Sequence, residues 1–167
     1  MSRRRTEEFR EQLETAVNEN DTVAVERIIQ EYGELGDNCD IPHWNWVELC
    51  EAALKKRCLP MVELLLPPES IENSFVDVET NKRFMNAAIK SDFVEGVKLL
   101  NSKGIPLYFA HSISRYNWYA VPECVRHNSV EVLKYLIELK YLDKTPDKEE
   151  TLLMLCCHEL NIECLEI

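Results

Sequence analysis

The chain has 167 residues, of which 46% are hydrophobic, and a formal net charge of −11 at pH 7. This length and composition allow one ordinary domain with a continuous core. The negative charge argues against nucleic acid as the main ligand, because phosphate binding requires a basic face. No stretch approaches the roughly 20 apolar residues of a membrane span, so we expect no membrane insertion by this segment.

The N-terminus and the cysteines both indicate a reducing compartment. Arg3 to Arg5 are followed by polar and acidic residues rather than by an apolar region, so this is not a secretory signal. Seven cysteines are an odd number, and without such a signal they favour free thiols. We therefore expect a cytoplasmic location.

Along the chain, apolar residues recur at the spacing of amphipathic helices. The predicted helices fall into pairs, which occupy residues 6–36, 42–68, 81–106, 118–142 and 148–167. Glycine or proline ends the first three pairs, at Gly33, at Pro67-Pro68 and at Gly104. The segment from Ile71 to Thr80 fits either a short helix or an extended finger.

The helix pairs recur with a nearly constant period. The residues predicted to open the second helices are spaced by 36, 35, 36 and 32 positions, and they are Asp21, Arg57, Asp92, Asn128 and Leu160. Such a period is typical of stacked repeats, in which no unit buries its apolar face alone. The sequence therefore predicts an all-α fold, an α-solenoid of about five stacked helix pairs in one domain, 1–167, with Leu65 and Leu99 in the core.

The fifth pair stops inside its second helix, at Ile167. A natural solenoid needs a polar cap at each end. We therefore expect the domain to be truncated at its C-terminal end and to be the N-terminal part of a longer protein.

These units resemble divergent ankyrin repeats. The first-helix pattern of that family is matched best by Thr151-Leu152-Leu153-Met154-Leu155-Cys156-Cys157, and its small-residue pair by Ala52-Ala53 and Ala87-Ala88. The second-helix pattern is matched by Val62–Leu66 and Val97–Leu100, and the terminal glycine by Gly33 and Gly104. No unit keeps the Thr-Pro-Leu-His tetrapeptide or the Gly-His junction, and the fourth unit has Cys124-Val125 at the small pair. Generic helical-hairpin repeats are the structural alternative.

The best candidate for a metal site is Cys156-Cys157-His158 together with Cys164. Adjacent helical residues point about 100° apart, so the two neighbouring cysteines cannot easily face one ion. A cysteine in place of alanine is also an ordinary buried small residue. Neither a glycine-rich phosphate loop nor a nucleophile signature is present. We therefore predict no metal site, no cofactor and no catalytic residue.

Two aromatic clusters precede predicted first helices. One contains His43 and Trp44, and the other contains Arg115, Tyr116 and Trp118. The ankyrin resemblance implies that such positions lie near the fingers and the concave face, where partners bind. Tryptophan, tyrosine and arginine are also frequent in interface hot spots. We predict these five as partner-binding residues; the alternative is packing between repeats, which is favoured for Trp46 and Trp118.

The segment Arg3-Arg4-Arg5-Thr6 resembles a basophilic kinase site, so Thr6 is a candidate for phosphorylation at a helix start. The alternative is that these arginines are simply solvated charge.

The leading functional prediction is a non-catalytic scaffold that binds a partner protein or peptide through its finger and concave surface. The first alternative is a cytosolic assembly domain of a membrane protein such as a transient-receptor-potential-like channel. The second is a non-catalytic part of a larger enzyme.

Overall fold

The computed structural model describes residues 3–33, 43–66, 78–109, 118–141, 159 and 162–165. This part of the chain is mostly helical, as predicted. Its elements are α1 (Arg3–Glu19), α2 (Thr22–Gly33), α3 (His43–Lys55), α4 (Leu59–Leu65), α5 (Val78–Lys90), α6 (Val94–Ser102), β1 (Tyr108–Phe109), β2 (Trp118–Tyr119), α7 (Ala120–Arg126), α8 (Val130–Glu138) and α9 (Ile162–Leu165).

The first eight helices pack as consecutive hairpins, each a first helix followed by a second helix. Hairpin 1 is α1–α2, hairpin 2 is α3–α4, hairpin 3 is α5–α6 and hairpin 4 is α7–α8. First helices contact the first helices of neighbouring hairpins, and second helices contact second helices. Helix α9 lies against α8. The hairpins are therefore stacked in the order of the chain.

The turn inside each hairpin centres on a residue in the left-handed region. These residues are Asn20, Arg57, Asp92 and Asn128, with φ of 61°, 55°, 49° and 53°. In each turn two backbone N–H groups return to the first helix; in hairpin 1, Asn20 donates to Val17 O at 3.2 Å and Asp21 donates to Ala16 O at 2.9 Å. This is a Schellman motif, which satisfies carbonyls at a helix C-terminus.

The residues that were predicted to open the second helices have a different role in the structure. Arg57, Asp92 and Asn128 do not open the second helices but terminate the first ones. In hairpin 1 the equivalent residue is Asn20 rather than Asp21. Asp21 instead caps α2, because its Oδ1 accepts a hydrogen bond from the Ala24 N–H at 2.9 Å.

The core repeats at fixed distances from the left-handed residue. Five positions are buried in all four hairpins: seven, four and three residues before it, and five and eight after it. In chain order these residues are Leu13, Ala16, Val17, Val25 and Ile28; Cys50, Ala53, Leu54, Val62 and Leu65; Met85, Ala88, Ile89, Val97 and Leu100; Val121, Cys124, Val125, Leu133 and Leu136. Leu65 is thus a core residue, whereas Leu99 is only half-buried and Leu100 takes the core position.

Two segments lie between the predicted helix pairs. Helix α5 begins at Val78, so the last residues of the ambiguous segment 71–80 are helical, while residues 71–77 lie outside the described residues. Strands β1 and β2 form an antiparallel pair with Tyr108 opposite Tyr119, and Ala120 N–H donates to Leu107 O at 3.1 Å. Aromatic residues favour extended backbone, and burial of Leu107 anchors the pair. Most of the fifth predicted pair, 148–167, lies outside the described residues.

Candidate interaction surface

Hydrogen bonds between successive turns align the hairpins. Each runs from a turn side chain to a carbonyl that lies three residues before the left-handed residue of the preceding hairpin. The donors and acceptors are Lys56 Nζ to Val17 O at 3.0 Å, Ser91 Oγ to Leu54 O at 3.2 Å and Ser129 Oγ to Ile89 O at 2.5 Å. The turns therefore share one edge of the stack, and the N-termini of the first helices share the opposite edge.

We call this opposite edge the entry edge, defined by the residues with which three first helices begin: 43–46, 78–81 and 118–121. It carries the backbones of His43, Trp44 and Trp118. His43 and Trp44 form the first turn of α3 rather than preceding it, which corrects the prediction. Trp118 lies in β2, opposite Phe109, directly before α7. His43 and Trp44 therefore share this edge with Trp118, and the start of α5 lies between them.

The structure leaves several predicted site residues without a described side chain. Arg115 and Tyr116 lie outside the described residues altogether. For His43, Trp44 and Trp118 the described structure includes the backbone alone, and the same holds for Thr6 within α1.

Two buried polar atoms at the entry edge were not predicted from the sequence. The Nε1 of Trp46 and the Oδ1 of Asn81 are buried, and the structure gives them no hydrogen-bond partner. Both residues lie eleven positions before a left-handed residue, Arg57 and Asp92 respectively, so they are equivalent in hairpins 2 and 3. An unsatisfied buried polar group costs about 1–3 kcal/mol. The sequence alone does not identify this pair, because the lack of a hydrogen-bond partner results from packing.

An ion pair joins the first helices of hairpins 2 and 3. Arg83 Nε lies 2.7 Å from Glu51 Oε1, with side-chain exposures of 44% and 16%. The hydrogen bond to Glu51 raises the pKa of Arg83 above its ordinary value. The N-terminal end of α5 also exposes an apolar side chain, Val78, at 55%. The entry edge thus combines an exposed apolar residue with two buried, unpaired polar atoms, and the Glu51–Arg83 ion pair lies further along the same two helices.

The described residues offer little to nucleophilic or metal chemistry. Burial raises the pKa of the Cys50 and Cys124 thiols, which disfavours the reactive thiolate. Cys50 Sγ donates to Leu65 O at 3.4 Å inside the core. Within the described ranges, no group of three or more His, Cys, Asp or Glu side chains is arranged to hold a metal ion.

Among the helices in the described ranges, none combines the length and the apolar character that crossing a bilayer requires.

No protein-family model, curated protein or solved structure gives a significant match to this chain.

Proposed function

We propose that this chain is a divergent ankyrin-like α-solenoid that binds a partner protein or peptide without catalysing a reaction. The register of the hairpins supports the family resemblance. The position four residues before the left-handed residue holds only alanine or cysteine, and Gly104, twelve residues after Asp92, has φ of 86°. The left-handed residue stands where the ankyrin pattern has the glycine of its Gly-His junction. Asn20, Arg57, Asp92 and Asn128 adopt that conformation without glycine.

The observation that carries the binding proposal is that His43, Trp44 and Trp118 lie on the entry edge. Their backbones belong to hairpin 2 and to the start of hairpin 4, on either side of the start of α5, which exposes Val78. Such an extended row suits a polypeptide better than a small molecule, which needs an enclosed pocket. Trp46 and Asn81, whose Nε1 and Oδ1 are buried without a hydrogen-bond partner, occupy equivalent positions in this row.

Rigid display is the mechanism that we propose. The turn-to-turn hydrogen bonds and the Glu51–Arg83 ion pair hold successive hairpins at fixed positions. A backbone held in this way needs no reordering when a partner binds, which favours affinity. The aromatic anchors would supply the apolar area that a partner buries.

The proposal is tested with the double variant Trp44→Ala/Tyr116→Ala. Partners captured by the wild-type chain are purified, and their Kd is measured against both chains. Each desolvated anchor contributes on the order of 2 kcal/mol, so the double variant is expected to bind at least about tenfold more weakly with an unchanged melting temperature.

The matched control is Tyr135→Ala, which removes a half-buried aromatic ring from α8, on the row of second helices. It is expected to retain binding. Normal binding by the Trp44→Ala/Tyr116→Ala variant would place the interface elsewhere. Unfolding of that variant would assign these rings to the core, and the smaller variant Val78→Ser then tests the same edge by affinity alone.

A further inference from the structure

A groove of about 610 Å³ runs between α1 and α2 on hairpin 1. Ala16, Ala24 and Ile28 line its floor; Ala16 and Ile28 are buried, and Ala24 is half-buried. The walls are polar, and they carry more acidic than basic side chains. The groove lies on the face of hairpin 1 that is opposite hairpin 2.

In the other hairpins the equivalent face receives the preceding hairpin. The position of Ala24 corresponds to Gly96, whose Cα lies so close to Leu54 of hairpin 2 that an added Cβ would be 3.2 Å from Leu54 Cδ2. It also corresponds to Val132, whose N–H donates to Asp92 of hairpin 3. Hairpin 1 therefore presents a groove of the kind that accepts helices elsewhere in this molecule.

The polarity of this face changes between hairpin 1 and the others. The position of Gln12, which is exposed, holds buried apolar residues in the later hairpins: Leu49, Phe84 and Ala120. The position of Arg27 holds apolar or aromatic residues that pack on the core: Leu64, Leu99 and Tyr135. An apolar hairpin such as hairpin 2 would have to bury Gln12 and Arg27 without partners, which is unfavourable.

The groove has a net negative charge. Its lining includes the four carboxylates of Glu8, Glu11, Glu19 and Asp21 and the one guanidinium of Arg27, a formal charge of −3. A second copy of this chain, with a net charge of −11, is electrostatically disfavoured as its occupant.

We propose that this groove binds a basic helical segment of a partner protein. Small apolar side chains of that helix lie on Ala16, Ala24 and Ile28, and its lysines or arginines face Glu11 and Glu19. This is a second surface, on hairpin 1, and it stands independently of the entry edge.

The probe is a fluorescent synthetic helical peptide with a stripe of lysines beside a stripe of alanines. One comparison peptide has glutamate in place of lysine, and another has the same composition in scrambled order. Binding to the full chain is followed by fluorescence anisotropy. We expect the amphipathic lysine peptide to bind at least about tenfold more tightly than either comparison peptide.

Variants then locate the site. Glu11→Lys/Glu19→Lys is expected to weaken binding by at least about tenfold. The control Glu63→Lys/Glu95→Lys makes the same change in net charge at exposed positions on α4 and α6, and it is expected to leave binding unchanged. Thr15→Trp, which fills the groove without changing charge, is expected to weaken binding as well.

Three results would overturn the proposal. Equal loss in both lysine variants would show general attraction to an acidic surface, and unchanged binding by Thr15→Trp would place the peptide outside the groove. Failure of every peptide to bind would leave this face as a polar cap of the stack. Each of these results is independent of the Trp44→Ala/Tyr116→Ala experiment, which probes the entry edge.

Discussion

Asp92 caps a helix of the next hairpin, because its Oδ1 accepts a hydrogen bond from the backbone N–H of Val132 at 2.9 Å. Its Oδ2 accepts a second one from the N–H of Glu131 at 3.3 Å. Ser129, the residue at the N-cap position of α8, makes no capping bond and donates instead to Ile89 O. Helix capping and hairpin stacking thus use the same residues, which couples the stability of hairpin 4 to that of hairpin 3.

Replacing Asp92 is therefore expected to destabilise the stack by two separable effects. Asp92→Ala loses a cap, about 1 kcal/mol, and places alanine in the left-handed region, about 1 kcal/mol more. Asp92→Gly loses only the cap, and Asp92→Asn keeps an acceptor and tolerates this backbone. Urea unfolding should rank the variants as Asn, Gly and Ala in order of increasing destabilisation. Equal losses for Gly and Ala would show that the left-handed backbone contributes nothing.

Arg57 is also a left-handed residue, but unlike Asp92 its side chain is exposed. Arg57→Gly removes a steric cost of about 1–2 kcal/mol and loses part of it to the greater freedom of glycine in the unfolded chain. We expect a net stabilisation of about 0.5–1 kcal/mol, measured by thermal and urea unfolding. Arg57→Ala is the matched control, since it removes the same charge but keeps the Cβ, and it should not stabilise.

The turn residues also explain how far the sequence could predict the fold. The apolar period locates each hairpin within a few residues, because burial of a helix face follows directly from local spacing. The same spacing cannot separate Leu99 from Leu100, which differ by one helical step and are half-buried and fully buried respectively. Nor could it predict that Asp92 caps α8, since an aspartate just before α6 is expected to cap α6 itself.

Prediction of the candidate site was limited by contacts between distant residues. The pairing of β1 with β2 depends on a hydrogen bond between Leu107 and Ala120, which are thirteen positions apart in the sequence. The lack of partners at Trp46 Nε1 and Asn81 Oδ1 is a property of the packed edge, not of either local segment. The sequence placed His43, Trp44 and Trp118 before predicted first helices, whereas in the structure His43 and Trp44 lie inside α3 and Trp118 precedes α7 in β2.

Gly96 and Phe93 show that a small residue at one position of a hairpin accompanies a large residue at another. A Cβ on Gly96 would lie 2.4 Å from Phe93 Cδ1, so the ring of Phe93 occupies that space. Hairpin 2 has the reverse arrangement, with Cys58 and the buried Met61 at the equivalent positions. Overpacking at this site costs about 1–3 kcal/mol and exceeds the helix-propensity gain of about 1 kcal/mol.

We therefore expect Gly96→Ala to destabilise the chain by about 1 kcal/mol. In a Phe93→Cys background, which reproduces the small residue of hairpin 2, the same change should become neutral or stabilising. Urea unfolding of the four chains gives the coupling between the two sites. Additive effects of the two substitutions would show that the Phe93 ring does not limit the space at residue 96.

Leu99 and Leu100 test the register of the core within a single helix. Leu100 is fully buried, so Leu100→Asp places an unpaired charge in the core and should abolish cooperative folding. Leu99 is half-buried, so Leu99→Asp keeps access to water and should leave a folded chain with a lower melting temperature. Circular dichroism during heating distinguishes the two outcomes. Unfolding by both variants, or by neither, would contradict the assigned register.

The cysteines provide a test of burial that requires no substitution. Cys50 and Cys124 are buried, and burial raises the pKa of both thiols, while Cys58 is only half-buried. The thiolate is the form that reacts with iodoacetamide, so both low access and low ionisation protect the buried pair. In a labelling time course at mildly alkaline pH, peptide mass spectrometry should show Cys58 modified well before Cys50 and Cys124. In concentrated urea the three rates should converge, because the difference belongs to the folded state. If Cys124 were labelled as fast as Cys58 in the native chain, α7 would not be packed between hairpin 3 and α8 as the structure has it.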